Sequence, residues 1–142
     1  MTPVQDLLAA LVAHLRAQTL VSALTGARVY GTELPAFETP HMPRHALVLS
    51  PAGGVPHGYL VSLSLDAMRI DAWSYGATPF EAMRLRRAVR AAMRSVERVR
   101  VGTALIHWVV PAGGFMEDRD PQARWPRVFE SFTLMGSELA AA

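Results

Sequence analysis

Met68-Arg69-Ile70-Asp71-Ala72-Trp73 alternates apolar and polar residues, and after a short Gly-containing turn it meets Thr78-Pro79-Phe80-Glu81. The first stretch has the two-residue period of a strand with one buried face. The second reads as a helix start. Thr78 can cap the helix, Pro79 fits its first position, and Glu81, three residues on, completes a capping box. In the helix that follows, Ala82, Leu85, Val89, Ala92, Met93 and Val96 form the apolar face, and arginines fill much of the rest. Strand, turn and amphipathic helix in this order predict a small sheet with an arginine-studded helix across it.

Working outward, Thr2-Pro3 can open a first helix with Val4, Leu7, Leu8, Leu11, Val12 and Leu15 on one face. Leu20 to Leu24 reads as a short continuation that Gly26 stops. Arg28-Val29-Tyr30 is a brief extended piece, and residues 31–45, with Pro35, Pro40 and Pro43, read as an irregular loop. Ala46 to Ser50 is a strand, and residues 51–58 read as a long hairpin turn. Tyr59 to Trp73 is the longest strand-like region. Val61, Leu63 and Leu65 alternate in one phase and Met68, Ile70 and Ala72 in the other, so a bulge is expected near Asp66-Ala67. Arg100 to Val110 and Arg127 to Met135 are the remaining strands, with a loop between them from Gly113. Val128, Glu130, Phe132 and Leu134 share one face of the last strand. Ser137 to Ala142 reads as a tail. The expected class is α+β: an antiparallel or mixed sheet with two helices packed on one face, in the order α-β-β-α-β-β.

The chain has 142 residues, a length that predicts one domain over 1–142. Its 51% hydrophobic and 18% charged content is that of a folded protein. Cysteine is absent, which removes disulfides, thiolate metal sites and cysteine nucleophiles. All 14 basic residues are arginine. A GC-rich genome gives that bias, and so does selection for bidentate contacts to carboxylates or phosphates. The formal net charge of +2 does not by itself mark a nucleic-acid binder. Asp6 interrupts the N-terminal apolar stretch and no basic segment precedes it, so no signal peptide is expected. No apolar run approaches a membrane span, and a soluble chain without membrane contact is expected.

Candidate chemistry is sparse. Arg84, Arg86, Arg87, Arg90, Arg94 and Arg98 are assigned to the second helix. Arg87, Arg90, Arg94 and Arg98 make a stripe opposite the apolar side. The stripe fits a solvated face, an inter-subunit salt-bridge surface, or phosphate contact with DNA in a pore. Glu117, Asp118 and Asp120 cluster in a loop. They are a potential partner for arginines of a neighbouring subunit, and they lack the spacing of a calcium loop. His14, His41, His45, His57 and His107 match no metal motif, and no G-x-S-x-G or phosphate-binding glycine loop occurs. Catalytic, cofactor and metal sites are therefore expected to be absent. A small enzyme with His107 or Asp71 as base would need a pocket of convergent polar groups.

Three fragments carry a family resemblance. Leu20-Val21-Ser22-Ala23-Leu24 leads into Gly26-Ala27-Arg28-Val29-Tyr30 and Leu34-Pro35. Arg69-Ile70-Asp71-Ala72-Trp73-Ser74 precedes Pro79-Phe80-Glu81-Ala82, and Arg124 to Leu134 closes the pattern. In this order the chain resembles the tail-completion or tail-terminator proteins of long-tailed phages and gene transfer agents. The resemblance implies a non-enzymatic virion protein of the tail neck, assembled in the host cytoplasm. It implies a ring, typically a hexamer, that caps the head-proximal end of the tail tube and ends tube growth. Its partners are then the tail-tube protein, a head-side connector or stopper, and double-stranded DNA passing through the lumen. Arg84, Arg87, Arg90, Arg94 and Arg98 become inter-subunit or lumen contacts, with Glu117, Asp118 and Asp120 as the acidic partner loop. Another neck component, a stopper or head-closure protein, is the near alternative. A DNA-binding accessory protein using the arginine helix is the more distant one.

Overall fold

The computed structural model describes residues 6–57 and 65–138. The expected helix start at Thr2-Pro3, the alternation at Val61 and Leu63, and the tail beyond Glu138 lie outside the described residues. Among the described residues are three α-helices and six strands: α1 Leu7–Ala17, α2 Thr19–Thr25, β1 Val29–Gly31, β2 Ala46–His57, β3 Leu65–Tyr75, α3 Pro79–Arg94, β4 Glu97–Val101, β5 Ala104–Arg119 and β6 Pro126–Glu138. The sheet order is β1-β2-β3-β6-β5-β4. Only the β1–β2 pair is parallel.

The fold is α+β with a mixed sheet, and the expected order with two helices is corrected in three places. Gln18 is extended (φ −73°, ψ 124°) and breaks the first helical run. The segment after it is a helix in its own right, turned 77° from α1. The brief piece at Val29 becomes an edge strand. The run from Arg100 to Val110 is two strands, because Gly102 takes a left-handed conformation (φ 58°) and turns the chain between β4 and β5.

The glycine-rich segments at 51–57 and 111–119 are also strands rather than loops. Bulges absorb their glycines: the register shifts between Pro51 and Gly54 and again between Pro111 and Phe115. The bulge expected at Asp66-Ala67 is not in β3, which pairs with β6 without interruption from Leu65 to Tyr75. It lies across the ladder, in β2.

The turn into α3 forms as its residues dictate. The Thr78 hydroxyl accepts from Glu81 N (3.2 Å). The Glu81 carboxylate turns instead to His45 Nε2 (3.0 Å), so only half of the capping box is made. Gly76 is required here by close approach, since a Cβ on it would stand 2.3 Å from the backbone nitrogen of Ala82. The apolar face of α3, together with Leu7, Leu11 and Leu15 of α1 and Val21 of α2, joins Val29, Leu47, Leu49, Ile70, Ile106, Phe132 and Leu134 in one buried cluster. Each fully buried aliphatic side chain contributes about 1.5–3 kcal/mol, so this cluster dominates the stability. A smaller cluster around Ala46, Val48 and Tyr75 packs against Leu34 and Met42 of the loop after β1. Tyr30, Glu38 and Arg44 tie that loop down: the Tyr30 hydroxyl and Arg44 Nε both donate to the Glu38 carboxylate, at 3.0 and 2.6 Å.

Candidate assembly surface

The arginines of α3 separate into two groups. Arg84, Arg87 and Arg94 are exposed. Arg86 is buried (8% exposed), as is Glu130 of β6 (1%). Arg86 Nη1 donates to Glu130 Oε1 at 3.4 Å, and Arg90 Nε lies 3.6 Å from Glu130 Oε2. Phe115 of β5 covers the Arg86 guanidinium, whose Cζ is 4.0 Å from the ring centroid. Arg90 is thus paired within its own chain. Arg98 does not lie on α3 as expected: the helix ends at Arg94, and Arg98 sits on β4 in a left-handed conformation (φ 52°).

Arg86, Glu130 and Phe115 are the residues that sequence reasoning missed. One signal was available. Glu130 stands in the apolar row of Val128, Phe132 and Leu134, and a carboxylate buried there needs a cation.

The acidic residues also have work inside the chain. Asp118 Oδ2 accepts from Arg127 Nη2 (2.9 Å), and Asp120 Oδ2 lies 3.9 Å from Arg127 Nη1. Hydrogen bonds from Arg127 and from the backbone N–H of Arg119 hold the Asp118 carboxyl below its ordinary pKa. Asp120 Oδ1 accepts from the N–H groups of Gln122 and Ala123 and shapes the β5–β6 turn. Arg127 in turn stacks on Trp73, 4.1 Å from its centroid. Of the three acids, Glu117 alone is exposed without a partner among the described residues. Glu117 and Asp118 lie on β5 rather than in a loop.

The two edges of the sheet differ. Leu47 N donates to Arg28 O (3.0 Å), and Leu49 O accepts from Thr32 N (2.7 Å), so these residues face outward from β2. Pro51, Gly54 and Pro56 continue their row opposite Ile70, Met68 and Asp66. β1 covers only Leu47 to Leu49. Beyond it, two positions of the row are prolines with no N–H to offer, which blunts the edge.

On the other side, β4 covers β5 from Ala104 to Trp108. Pro126 O accepts from Gly76 N, so its row in β6 faces β3. The β5 partners of that row include Phe115, Glu117 and Arg119, whose backbone groups therefore point outward. No strand covers them among the described residues.

With this geometry in hand, the family model described as "Tail completion protein gp17" matches residues 9–133. The chain belongs to the tail completion protein gp17 family. It is a structural component of the virion tail of a phage or gene transfer agent. A chain from a solved structure titled "Virion of native gene transfer agent (GTA) particle" has the same fold. Its TM-score is 0.65 at 16% identity, over 92% of this chain and 94% of that one. No curated protein matches.

In this tail completion protein the large exposed apolar side chains among the described residues are Leu20, Phe37, Phe80, Trp108, Val110, Phe115 and Met116. Phe80, 87% exposed, stands in the first turn of α3, and Phe37, 70% exposed, on the loop after β1. Among the described residues no three His, Asp or Glu side chains gather as a metal site. No single helix among them is long and apolar enough to cross a membrane.

Proposed function

We propose that the chain, as one domain, closes into a ring at the head-proximal end of a tail tube and ends tube growth there. The ring joins the tail to a head-side connector, lets DNA through its lumen and catalyses no reaction. Membership of the tail completion family over residues 9–133 is the observation that carries this reading.

A closed ring needs heterologous contacts between two different surfaces of the same chain. The two unlike sheet edges, β2 on one side and β5 on the other, supply them. In this reading Arg84 and Arg87 line a contact between copies, with Glu117 their available acid. Recruiting Arg90, Asp118 or Asp120 would break ion pairs inside the chain. The lumen is lined by the sheet face that carries Arg69, Asp71 and Ser131. There the Ser131 hydroxyl donates to Asp71 Oδ1 (2.7 Å) and accepts from Arg69 Nη2 (3.2 Å), so the charges are locally compensated. A compensated face lets DNA slide without holding it.

Light scattering over a concentration series, with negative-stain images and a tube-length assay, tests this. A species near six times 15.5 kDa, or capped tubes of fixed length on addition of the protein, is the expected result. A protein that neither forms rings nor changes the length of growing tubes refutes the reading.

A further inference from the structure

We infer that the cleft where β4 stops covering β5 is a docking site for an acidic, extended segment of a different protein. The cleft, about 630 Å³, is lined by Arg94 from the end of α3, Arg98 of β4, and His107 and Trp108 of β5, with Met135 and Val96 as apolar lining. Three neighbouring features mark it. Trp108 is 39% exposed although it sits inside a strand. The β5–β6 register slips between Ile106 and Trp108, a bulge of the kind that re-aims side chains. Arg98 holds a left-handed backbone that a non-glycine residue adopts only when its surroundings impose it.

The charge names the occupant. Neither Arg94 nor Arg98 has a carboxylate partner among the described residues. Glu97 is the one acid in the lining, against two guanidinium groups. Most acids of a second copy are already engaged, and those outside such contacts among the described residues, Glu33, Glu97 and Glu117, are scattered singly along the chain rather than gathered in one acidic segment. Glu38 is held by Arg44, Glu130 by Arg86 and Arg90, and Asp118 and Asp120 by Arg127. Asp6 caps α1, and the Glu138 carboxylate accepts from Leu7 N. Carboxylates on the guanidinium groups and an apolar side chain on Trp108 are what the lining matches. The adjoining open edge of β5 brings an extended chain in along the strand direction. The free chain presents both the cleft and that edge, so binding here can fail while ring formation stands.

The test uses the full chain labelled with ¹⁵N and short Asp/Glu-rich peptides carrying a central Leu or Phe, with Asn/Gln versions as controls. The Trp108 indole signal is assigned with Trp108→Phe. A saturable shift of that signal by the acidic peptides is expected. Arg94→Glu and Arg98→Glu, each checked for an unchanged thermal midpoint, should weaken binding about tenfold. Arg94→Gln serves where the reversal disturbs folding, and Arg84→Glu should leave binding unchanged. The proposal is overturned if no acidic peptide gives a saturable shift, or if the Asn/Gln versions bind equally. A Trp108 shift that follows protein concentration alone, or duplex DNA that takes the same residues more tightly than the peptides, also overturns it.

Discussion

The inner and outer sides of α3 carry the same residue and use it in opposite ways. Arg86 and Arg90 turn toward β6 and share Glu130, whereas Arg84, Arg87 and Arg94 stand in solvent. A buried ion pair loses more solvation than a surface one, and its Coulomb gain roughly offsets that loss. The inner arginines therefore add little net stability, yet the protein cannot lose one partner alone. The outer arginines add little stability and are free for partners. Removing a charge from each side is the way to test this contrast.

The largest expected effect is on the inner side. Glu130→Ala leaves the Arg86 guanidinium buried without a counter-charge and should cost about 3–5 kcal/mol, read as a lower urea midpoint. A cost below about 1 kcal/mol would mean that Arg86 escapes to solvent, and the inside–outside contrast would fail. The paired change Arg86→Met with Glu130→Leu replaces both charges by apolar groups of similar size. It should recover most of the loss, ending within about 2 kcal/mol of the parent. A double variant no better than Glu130→Ala would show that packing, not charge, governs the site.

Next comes the lid. Phe115→Ala uncovers Arg86 and removes the ring above its guanidinium, at a cost of about 1–2 kcal/mol. Because Phe115 also stands on the open edge of β5, a concentration-dependent midpoint in the parent that vanishes in the variant would put the ring in an interface between copies.

Residues that speak to their sequence neighbours were legible; those that speak across the sheet were not. Thr78-Pro79, Glu81 and the spacing from Ala82 to Val96 located α3, because caps and periodicity act over a few residues. The same spacing put Arg90 on the outer stripe, since the carboxylate that turns it inward is forty positions away. The segments at 51–57 and 111–119 read as loops because Gly and Pro normally end strands. Their bulges were invisible, being set by the register of β3 and β6. Asp118 and Asp120 looked free for the same reason: Arg127 meets them only after the β5–β6 hairpin forms.

A charge pair of intermediate exposure sharpens the contrast through pH. Glu38 is buried while its partner Arg44 is part exposed. The hydrogen bond from Arg44, aided by that from Tyr30, holds the Glu38 carboxyl below its ordinary value of 4.5. A carboxyl depressed on folding contributes stability that is fully present above the unfolded value. That contribution is lost as pH falls through the folded value. Stability should therefore decline below about pH 4.5, and Glu38→Gln should flatten that part of the profile while lowering stability at neutral pH. An unchanged acid limb in the variant would assign the loss to Asp118, whose carboxyl is lowered in the same direction by Arg127.

The smallest effects belong to the outer side. Arg84→Ala and Arg87→Ala remove exposed side chains with no acid partner among the described residues, and each should change stability by less than about 0.5 kcal/mol. Arg94 differs slightly, because it lies in the last turn of α3, where a cation faces the negative end of the helix dipole. Arg94→Ala should thus cost about 0.3–1 kcal/mol more than Arg84→Ala at low salt, and the gap should close as salt is added. If Arg84→Ala instead matched Glu130→Ala, the outer arginines would be structural, and a surface kept for partners would have no basis. If Arg94→Ala kept its excess cost at high salt, its stem packing in the cleft beside Trp108, rather than its charge, would be what stabilises the end of the helix.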